Sequence, residues 1–573
     1  DYVSPHVNYL SYRTSYDYIE SVYRPVIERF QNKMGRVIDC LFYHDVQYVT
    51  PNRRMWDEDF NRVFEAEFGY DPAPYYPALF RQIGADTSHY KALFFHCRAK
   101  LLQNGFLKAI ADFCKTHSLW CVGTQSGAKF PACSFLHGDG MMASRYADAP
   151  CAQMSGAYLY GQNSLKIAEG AAAGVGGETV AAEMFDGYEE STPPLLYREM
   201  ILSYSKRINH IFAHLPPTKG VTTLSERLRQ AFFDGDGSHL WPAARTQALL
   251  SEGRQICDIA LLYPIYSLHE EAYLYEDNHT HGYEFASIPE NADYMNVINA
   301  ITEYVGLDLT VLHPEIIKEG CRTEGGRLIL ETVAGTAEYR VVVLPAGCLI
   351  GIDTLRLLKR FYDEGGKIVA TGELPAAAFE FDGEYGSDEE VVRTILHIFG
   401  TECFNLGSIR KYCENQNDRG GQAYFFYSTM SALDGTYTVS GNLLEEVFKS
   451  FRLPYDVVLA DPPHRETGGL LNIPLHEYLA MDKYYHINKT GTVSYIHKEA
   501  EGADIYYFAN SRSEEEYLDR VLLRGRKELE LWNPRTGEIE SCPCEHTVEN
   551  GQPYTKILLR LPPASGIFVV AKV

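Results

Sequence analysis

The sequence predicts a multidomain α/β protein. Its parts are a (β/α)8-type barrel that lacks its first strands in this chain, a second α/β domain and a C-terminal β-sandwich. Three observations predict this. Short apolar strands alternate with amphipathic helices through residues 15–213, the signature of parallel β/α units. The alternation restarts at 258–372, between the buried-strand sequences DIALLYP and KIVATG. From about Lys483 the pattern becomes short strands separated by Gly and Asn turns, the spacing of a sandwich. A chain of 573 residues exceeds one domain. The expected division is barrel 1–223, connector 224–257, α/β domain 258–400, a mixed region 401–482 and sandwich 483–573.

In order along the chain, Tyr18, Ile19, Val22, Val26, Ile27 and Phe30 recur at helical spacing over Ser15–Lys33, and Gly35 ends that helix. VIDCLFY (Val37–Tyr43) is apolar throughout, as a strand covered on both faces must be, and runs into His44-Asp45-Val46-Gln47. A helix over Asp57–Phe68 stops at Gly69, and a long helix over Thr87–His117 precedes the strand Leu119–Gly123. After a Gly- and Pro-rich loop come a short strand Cys151–Met154, a helix Ser164–Ala173, a strand through Val180–Ala182 to Glu183, a helix Leu195–Arg207 and a strand Ile208–Ala213. That makes five strands where a closed barrel has eight, and five would leave two exposed edges. The expectation is that three strand–helix units lie upstream of Asp1 or elsewhere; an open doubly wound sheet is the alternative.

The second α/β domain reads as flavodoxin- or amidotransferase-like: helix Tyr294–Val305, strand Asp308–Leu312, strand Val341–Pro345, helix Ile352–Glu364, strand Ile368–Gly372. No GxGxxG follows its first strand, so a nucleotide is not indicated. Cys348 follows VVVLPAG without an evident base beside it, so the domain is expected to pack and not to catalyse.

Composition narrows the function. The net charge of −24, without a long basic run, argues against nucleic acid and anionic membrane surfaces as partners. No apolar run approaches the ~20 residues of a membrane span. The 13 cysteines are odd in number and lack paired zinc spacing, Cys542-Pro-Cys544 included. Reduced thiols in a cytosolic protein are expected, although a chain that begins inside a barrel leaves a leader peptide open. The 41 Tyr and 28 Phe suit a sugar-handling protein and equally suit large β-domains.

Glu183 is the leading functional candidate. It ends the Val180–Ala182 strand between two helices, where a β/α barrel keeps its chemistry. Asp45, at the end of the first strand, is the second. Trp56 either stacks on a sugar or caps the barrel. His137 and Asp139 lie in a Gly-rich loop and either contact substrate or hold the loop. His214, at the last strand's end, is better placed than His210, which reads as a core histidine.

In order, LFYHDVQ, Trp56-Asp57, FGYDPAPYYPAL, HGDGMM, SLKIAEGAAAGVGGETVAAEMF, RINHIFAHLPP, YRVVVLPAGCLIGIDTLRLLKRFYDEGGKIVATGELP, YYFANS and LELWNPRTGE resemble the α-L-rhamnosidase-type branch of large multidomain glycoside hydrolases. The resemblance implies a carbohydrate substrate and a carboxylate pair across the sugar, with Glu183 as base (or nucleophile) and Asp45 as general acid. His44, Gln47, Trp56, Gln125, His137, Asp139 and His214 would contact the substrate. The similar enzymes invert, which favours the base. Where the family carries its acid this sequence reads His44-Asp45-Val46-Gln47, and TQSGAKFPACS lacks a further expected Glu. Those departures leave two alternatives open: a catalytically decayed glycan-binding relative, or a β-galactosidase-like retaining enzyme. A scaffold role for the second domain rests on fold analogy alone. No cofactor is expected; the Ca²⁺ that similar enzymes can hold finds too few oxygen ligands here. Self-association is an expectation from the resemblance.

Overall fold

The computed structural model describes residues 7–572 except 45, 47–48, 51–52, 125–137, 154–162, 185–192, 214–239, 272–291, 333–334, 381–385, 402–411, 429–436, 460–492 and 513. The first part is a five-stranded, all-parallel sheet with strands in chain order. They are β1 (Cys40–His44), β2 (Trp120–Thr124), β3 (Ala149–Gln153), β4 (Ala181–Met184) and β5 (His210–Ala213). Each is covered on its outer face by helices. Leu41 and Tyr43 of β1 point outward into a core with Leu107, Ile110 and Phe113. Cys40 and Phe42 point inward, toward Val122, Cys151, Ala181 and Phe212. The rings of Phe42 on β1 and Phe212 on β5, the two outermost strands, lie 5.2 Å apart. The sheet is therefore curled, with an inner face closed over an apolar floor.

Several expected boundaries move for local reasons. The third strand takes in Pro150, which pairs in register with Gly123. The long helix is interrupted by one π-turn, Gln103–Leu107, between α-helical Thr87–Leu102 and Lys108–Thr116. A Cβ on Gly105 would stand 2.2 Å from the Tyr9 carbonyl oxygen, so glycine there admits the N-terminal segment, and Phe106 N–H donates to that same carbonyl at 2.9 Å.

The second sheet has six strands in the order β7-β6-β8-β9-β11-β10. They are β6 (Ile259–Leu262), β7 (Thr310–Leu312), β8 (Val341–Leu344), β9 (Lys367–Thr371), β10 (Tyr412–Gln416) and β11 (Gln422–Phe426). All pairs are parallel except the edge strand β10. The sheet runs past residue 400 and draws part of the mixed region into the second domain. The three-stranded antiparallel meander Cys321–Tyr339 attached to it was not expected, because its first strand alternates only between half-buried and exposed residues.

The C-terminal part stacks a four-stranded sheet on a six-stranded one. The core between them includes Val457, Tyr495, Tyr506, Phe508, Val521, Ile557 and Val569. The strand β12 (Ala503–Asn510) is buried on both faces. Tyr506 and Phe508 fill the sandwich, while Ile505, Tyr507 and Ala509 pack with Tyr197, Met200 and Ile201 of the helix after β4. The sandwich thus braces the helical layer behind Glu183.

Buried charge ties the parts together. Lys166, on the helix Asn163–Val175, reaches Asp308 at 2.5 Å and lies 3.8 Å from Glu169, which meets Arg207 at 3.4 Å. On the same helix, Gly170 sits so close to the second domain that a Cβ would fall 2.2 Å from the Val311 carbonyl oxygen. Among the described residues no helix is long and apolar enough to cross a membrane, and the described cysteines are all free.

Candidate active site

The strand ends of the curled sheet gather one group of side chains. Val180, Ala181 and Ala182 are small and fully buried, so β4 packs tightly and carries Glu183 to its C-terminal end, 4% exposed. Register places Glu183 beside Gln153 of β3 and Phe212 of β5, and His44 of β1 beside Thr124 of β2. Side chains alternate along a strand. His44 therefore faces inward with Phe42 and Cys40.

The result is a polar cluster drawn from four strands. Thr124 Oγ1 donates to Glu183 Oε2 at 3.2 Å. His44 Nε2 lies 3.2 Å from the same oxygen, and 2.8 Å from the side-chain amide of Gln153. His44 keeps 43% of its side chain exposed, against 5% for Glu183, so the imidazole stands between a buried carboxylate and solvent. Beneath them, burial and then the Glu183 carboxylate push the Cys151 thiol well above its ordinary range, so it adds no second negative charge. A buried carboxylate in a low-dielectric recess can accept a proton from water or attack an electrophilic carbon.

Thr124 and Gln153 were not singled out from the sequence. They enter through sheet register, which a single strand does not reveal; counting in twos from Glu183 across aligned neighbours would have found them. Asp45, Gln47, Gln125, His137 and His214 lie outside the described residues. Trp56 is 48% exposed and contacts Phe60, Tyr76 and Phe94, so its ring belongs to an aromatic group on the neighbouring helices and not to the Glu183 cluster.

Asp139 is engaged elsewhere. Its Oδ1 caps the turn Gly140–Ala143 by accepting from Met141 N and Met142 N, at 3.2 and 3.0 Å. Its Oδ2 is 2.7 Å from Nε2 of the fully buried His313 in the second domain. Asp139 thus holds its loop and ties it to the second domain. His210 is half-buried and not in the core: its ring packs on Trp120 and Phe212, and partial burial lowers its pKa.

No cation site follows from these residues. Among the described residues no group of three or more His, Cys, Asp or Glu is placed to hold a metal. One carboxylate with a hydroxyl, an amide and an imidazole does not fit a hard cation that takes six to eight oxygens.

Among the described residues the switch point of the second domain offers no competing site. Open α/β sheets bind ligands at the switch point beyond their strand ends. Here the space between Leu262–Pro264 and Leu344–Pro345 is an apolar cavity of about 20 Å³, room for a water. Cys348 is held as a thiol by burial and by Glu270, the opposite of a nucleophile's surroundings.

No protein-family model matches the chain. A protein of Formosa agariphila whose provisional name is beta-glucuronidase is 21% identical over 575 residues, covering 97% of this chain and 40% of that protein. A rhamnosidase from Novosphingobium sp. PP1Y superposes with a TM-score of 0.67 at 16% identity, covering 99% of this chain and 48% of that one. A catalytic mutant of a GH42 beta-galactosidase from G. stearothermophilus superposes with a TM-score of 0.57 at 12% identity, covering 99% and 82%. The chain thus spans less than half the length of the first two. At these identities the likeness is one of fold, and the fold resembles that of a rhamnosidase-like glycoside hydrolase.

Proposed function

We propose that this chain hydrolyses a glycosidic bond, with Glu183 as the carboxylate that activates water, and that an α-L-rhamnoside is the first substrate to try. The observation that carries the proposal is the position of Glu183. It is buried, accepts from Thr124, and is set at the C-terminal end of a curled parallel sheet in a fold shared with glycosidases. In this reading the five strands are the fourth to eighth of an eight-stranded barrel, and β1 and β4 stand across its mouth.

Hydrolysis of a glycoside generally uses two carboxyl groups. Asp45 is the acid in this proposal: it protonates the leaving oxygen while Glu183 takes a proton from the attacking water. A separation of roughly 6.5–9.5 Å would invert the anomeric centre, and one of about 5–5.5 Å would let Glu183 attack directly and retain it. Inversion is our choice. The test is release of p-nitrophenol from a panel of p-nitrophenyl glycosides, α-L-rhamnoside included, by the wild type and by Glu183→Gln. Activity on one sugar that disappears in the variant supports the assignment; turnover by Glu183→Gln near the wild-type rate overturns it.

One observation favours a second reading. Among the described residues at the five strand ends, Glu183 is the one carboxylate. A glycan-binding relative without hydrolysis would need no second. Silence across the panel, with a sugar that raises the melting temperature, selects that reading.

A further inference from the structure

Glu183 is buried and His44 is not, yet they share a hydrogen-bond distance, and that asymmetry asks what His44 is for. Nε2 of His44 faces two groups at once: Glu183 Oε2 at 3.2 Å and the Gln153 amide at 2.8 Å. An ionised carboxylate only accepts, so Nε2 must carry the proton. The Gln153 amide nitrogen is the atom placed toward Nε2, but an Nε2–H has no use for an amide N–H; the oxygen and nitrogen of an amide are assigned from the network, and we assign the carbonyl oxygen to this position. So oriented, Gln153 accepts from the same N–H. Any proton His44 gains or loses is then the one on Nδ1, on a ring that solvent reaches.

We infer that His44 is a positioning residue whose charge sets the basicity of Glu183, with Gln153 holding the ring in the Nε2–H form. This rests on the proposed role of Glu183 as base. Neutral His44 donates one hydrogen bond to the carboxylate and leaves it able to take a proton. Charged His44 makes the same contact an ion pair, which holds the carboxylate ionised and weakens it as a base. The groups facing the imidazole from the described strands are Glu183, Gln153 and Thr124, with the Cys151 thiol below; Glu183 is the one charge among them.

The experiment is a pH profile of kcat/KM on the cleaved p-nitrophenyl glycoside for the wild type, His44→Gln and Gln153→Glu. His44→Gln keeps a side-chain N–H donor and removes the titration. Its acid limb should shift down by about one pH unit, so that two units below the wild-type limb it is roughly tenfold more active relative to its own plateau. Gln153→Glu places a second carboxylate on Nε2–H, favours the charged ring, and should shift the limb up. A His44→Gln profile that superimposes on the wild type overturns the inference. A parallel measurement needs neither turnover nor a folded His44 variant. Long-range ¹H–¹⁵N spectra of histidine-labelled protein should show His44 protonated at Nε2, with a titration midpoint that falls in Glu183→Gln. An Nδ1–H tautomer, or a midpoint that does not move, overturns it. The two readings separate cleanly: Glu183→Gln with wild-type turnover removes the base assignment, whereas a dead Glu183→Gln with an unchanged His44→Gln profile removes this inference alone.

Discussion

Two charged regions of the molecule are built on opposite rules. At the mouth of the curled sheet, a single buried carboxylate is met by a hydroxyl and an imidazole. At the junction of the second domain and the sandwich, charges run in an unbroken alternating chain. Arg340 meets Asp258 at 3.0 Å, Asp258 meets Arg524 at 3.1 Å, and Arg524 meets Asp456 at 3.4 Å. Asp456 meets His497 at 2.7 Å, His497 meets Asp504 at 3.1 Å, and Asp504 meets Lys527. These residues line a polar cleft of about 330 Å³, far larger than the cavity at the switch point of the second sheet. Size alone would select the cleft as the site. The proposed function places the base at the mouth instead, because every acid in the alternating chain already has a cation beside it.

The sharpest way to break this contrast is to swap the consequences. Glu183→Gln should cost on the order of 10²–10⁴ in kcat/KM on the cleaved glycoside, with little change in melting temperature. Asp258→Asn should do the reverse. Asp258 is buried, accepts from Asp456 N at 2.7 Å, and neutralises two arginines. Removing its charge takes the carboxylate from Arg340 and leaves Arg524 with Asp456 alone, and should cost roughly 3–5 kcal/mol by chemical denaturation. Activity per folded molecule should stay near wild type. If Glu183→Gln loses stability and keeps activity, the two regions have been read the wrong way round.

Parts of this were legible because burial leaves a mark on one chain. Continuous apolar runs such as VVVLP and the Val180–Ala182 strand announce doubly covered strands, and both were found as expected. Strands that stay at the surface leave no such mark. Ile539–Cys542 and Cys544–Glu549 are almost wholly exposed, so the alternation that identifies a strand is absent from their sequences. The site divides in the same way. Glu183 was visible as a polar residue closing an apolar strand. That His44 joins Glu183 follows from the parity of β1, and Thr124 and Gln153 follow from register between strands. The partner of Asp139 was out of the sequence's reach for a related reason: His313 lies 174 residues away.

Asp139→Asn sharpens the comparison with a smaller effect. His313 Nδ1 accepts from Glu315 N at 3.1 Å, so its Nε2 must donate to Asp139. An asparagine that keeps its oxygen on the Met141 and Met142 N–H groups turns its NH₂ toward that donor. Switching the His313 tautomer would set Nδ1–H against the Glu315 N–H. One buried donor is left unsatisfied either way, at a cost of about 1–3 kcal/mol. KM for the glycoside should not change. A raised KM with unaltered stability would return Asp139 to the substrate site.

The finest test is the pH dependence of the junction. His497 is buried against Tyr506, their rings 3.9 Å apart and nearly parallel, and each of its nitrogens meets a carboxylate. Burial works against the charge, but Asp456 and then Asp504 outweigh it and hold the His497 pKa above its ordinary value. Burial likewise opposes ionisation of Asp504, yet His497 and Lys527 bring its carboxyl down to about 2. The signs differ. A histidine raised in the folded state contributes stability that is full below its unfolded pKa of about 6.5 and is lost as pH rises through the folded value. A depressed aspartate contributes above about 3.9 and loses it as pH falls toward 2. The junction is therefore strongest between about pH 4 and 6.5 and weakens on the alkaline side. Lys498, which burial lowers to about 7, adds a slope of the opposite sign above that pH, so the difference between wild type and variant is the quantity to read. His497→Gln keeps a polar side chain and removes the charge. Its melting-temperature deficit should be largest near pH 6 and shrink steadily toward pH 9; a deficit that stays constant across that range would mean that His497 is held neutral and that the alternating chain stops at Asp456.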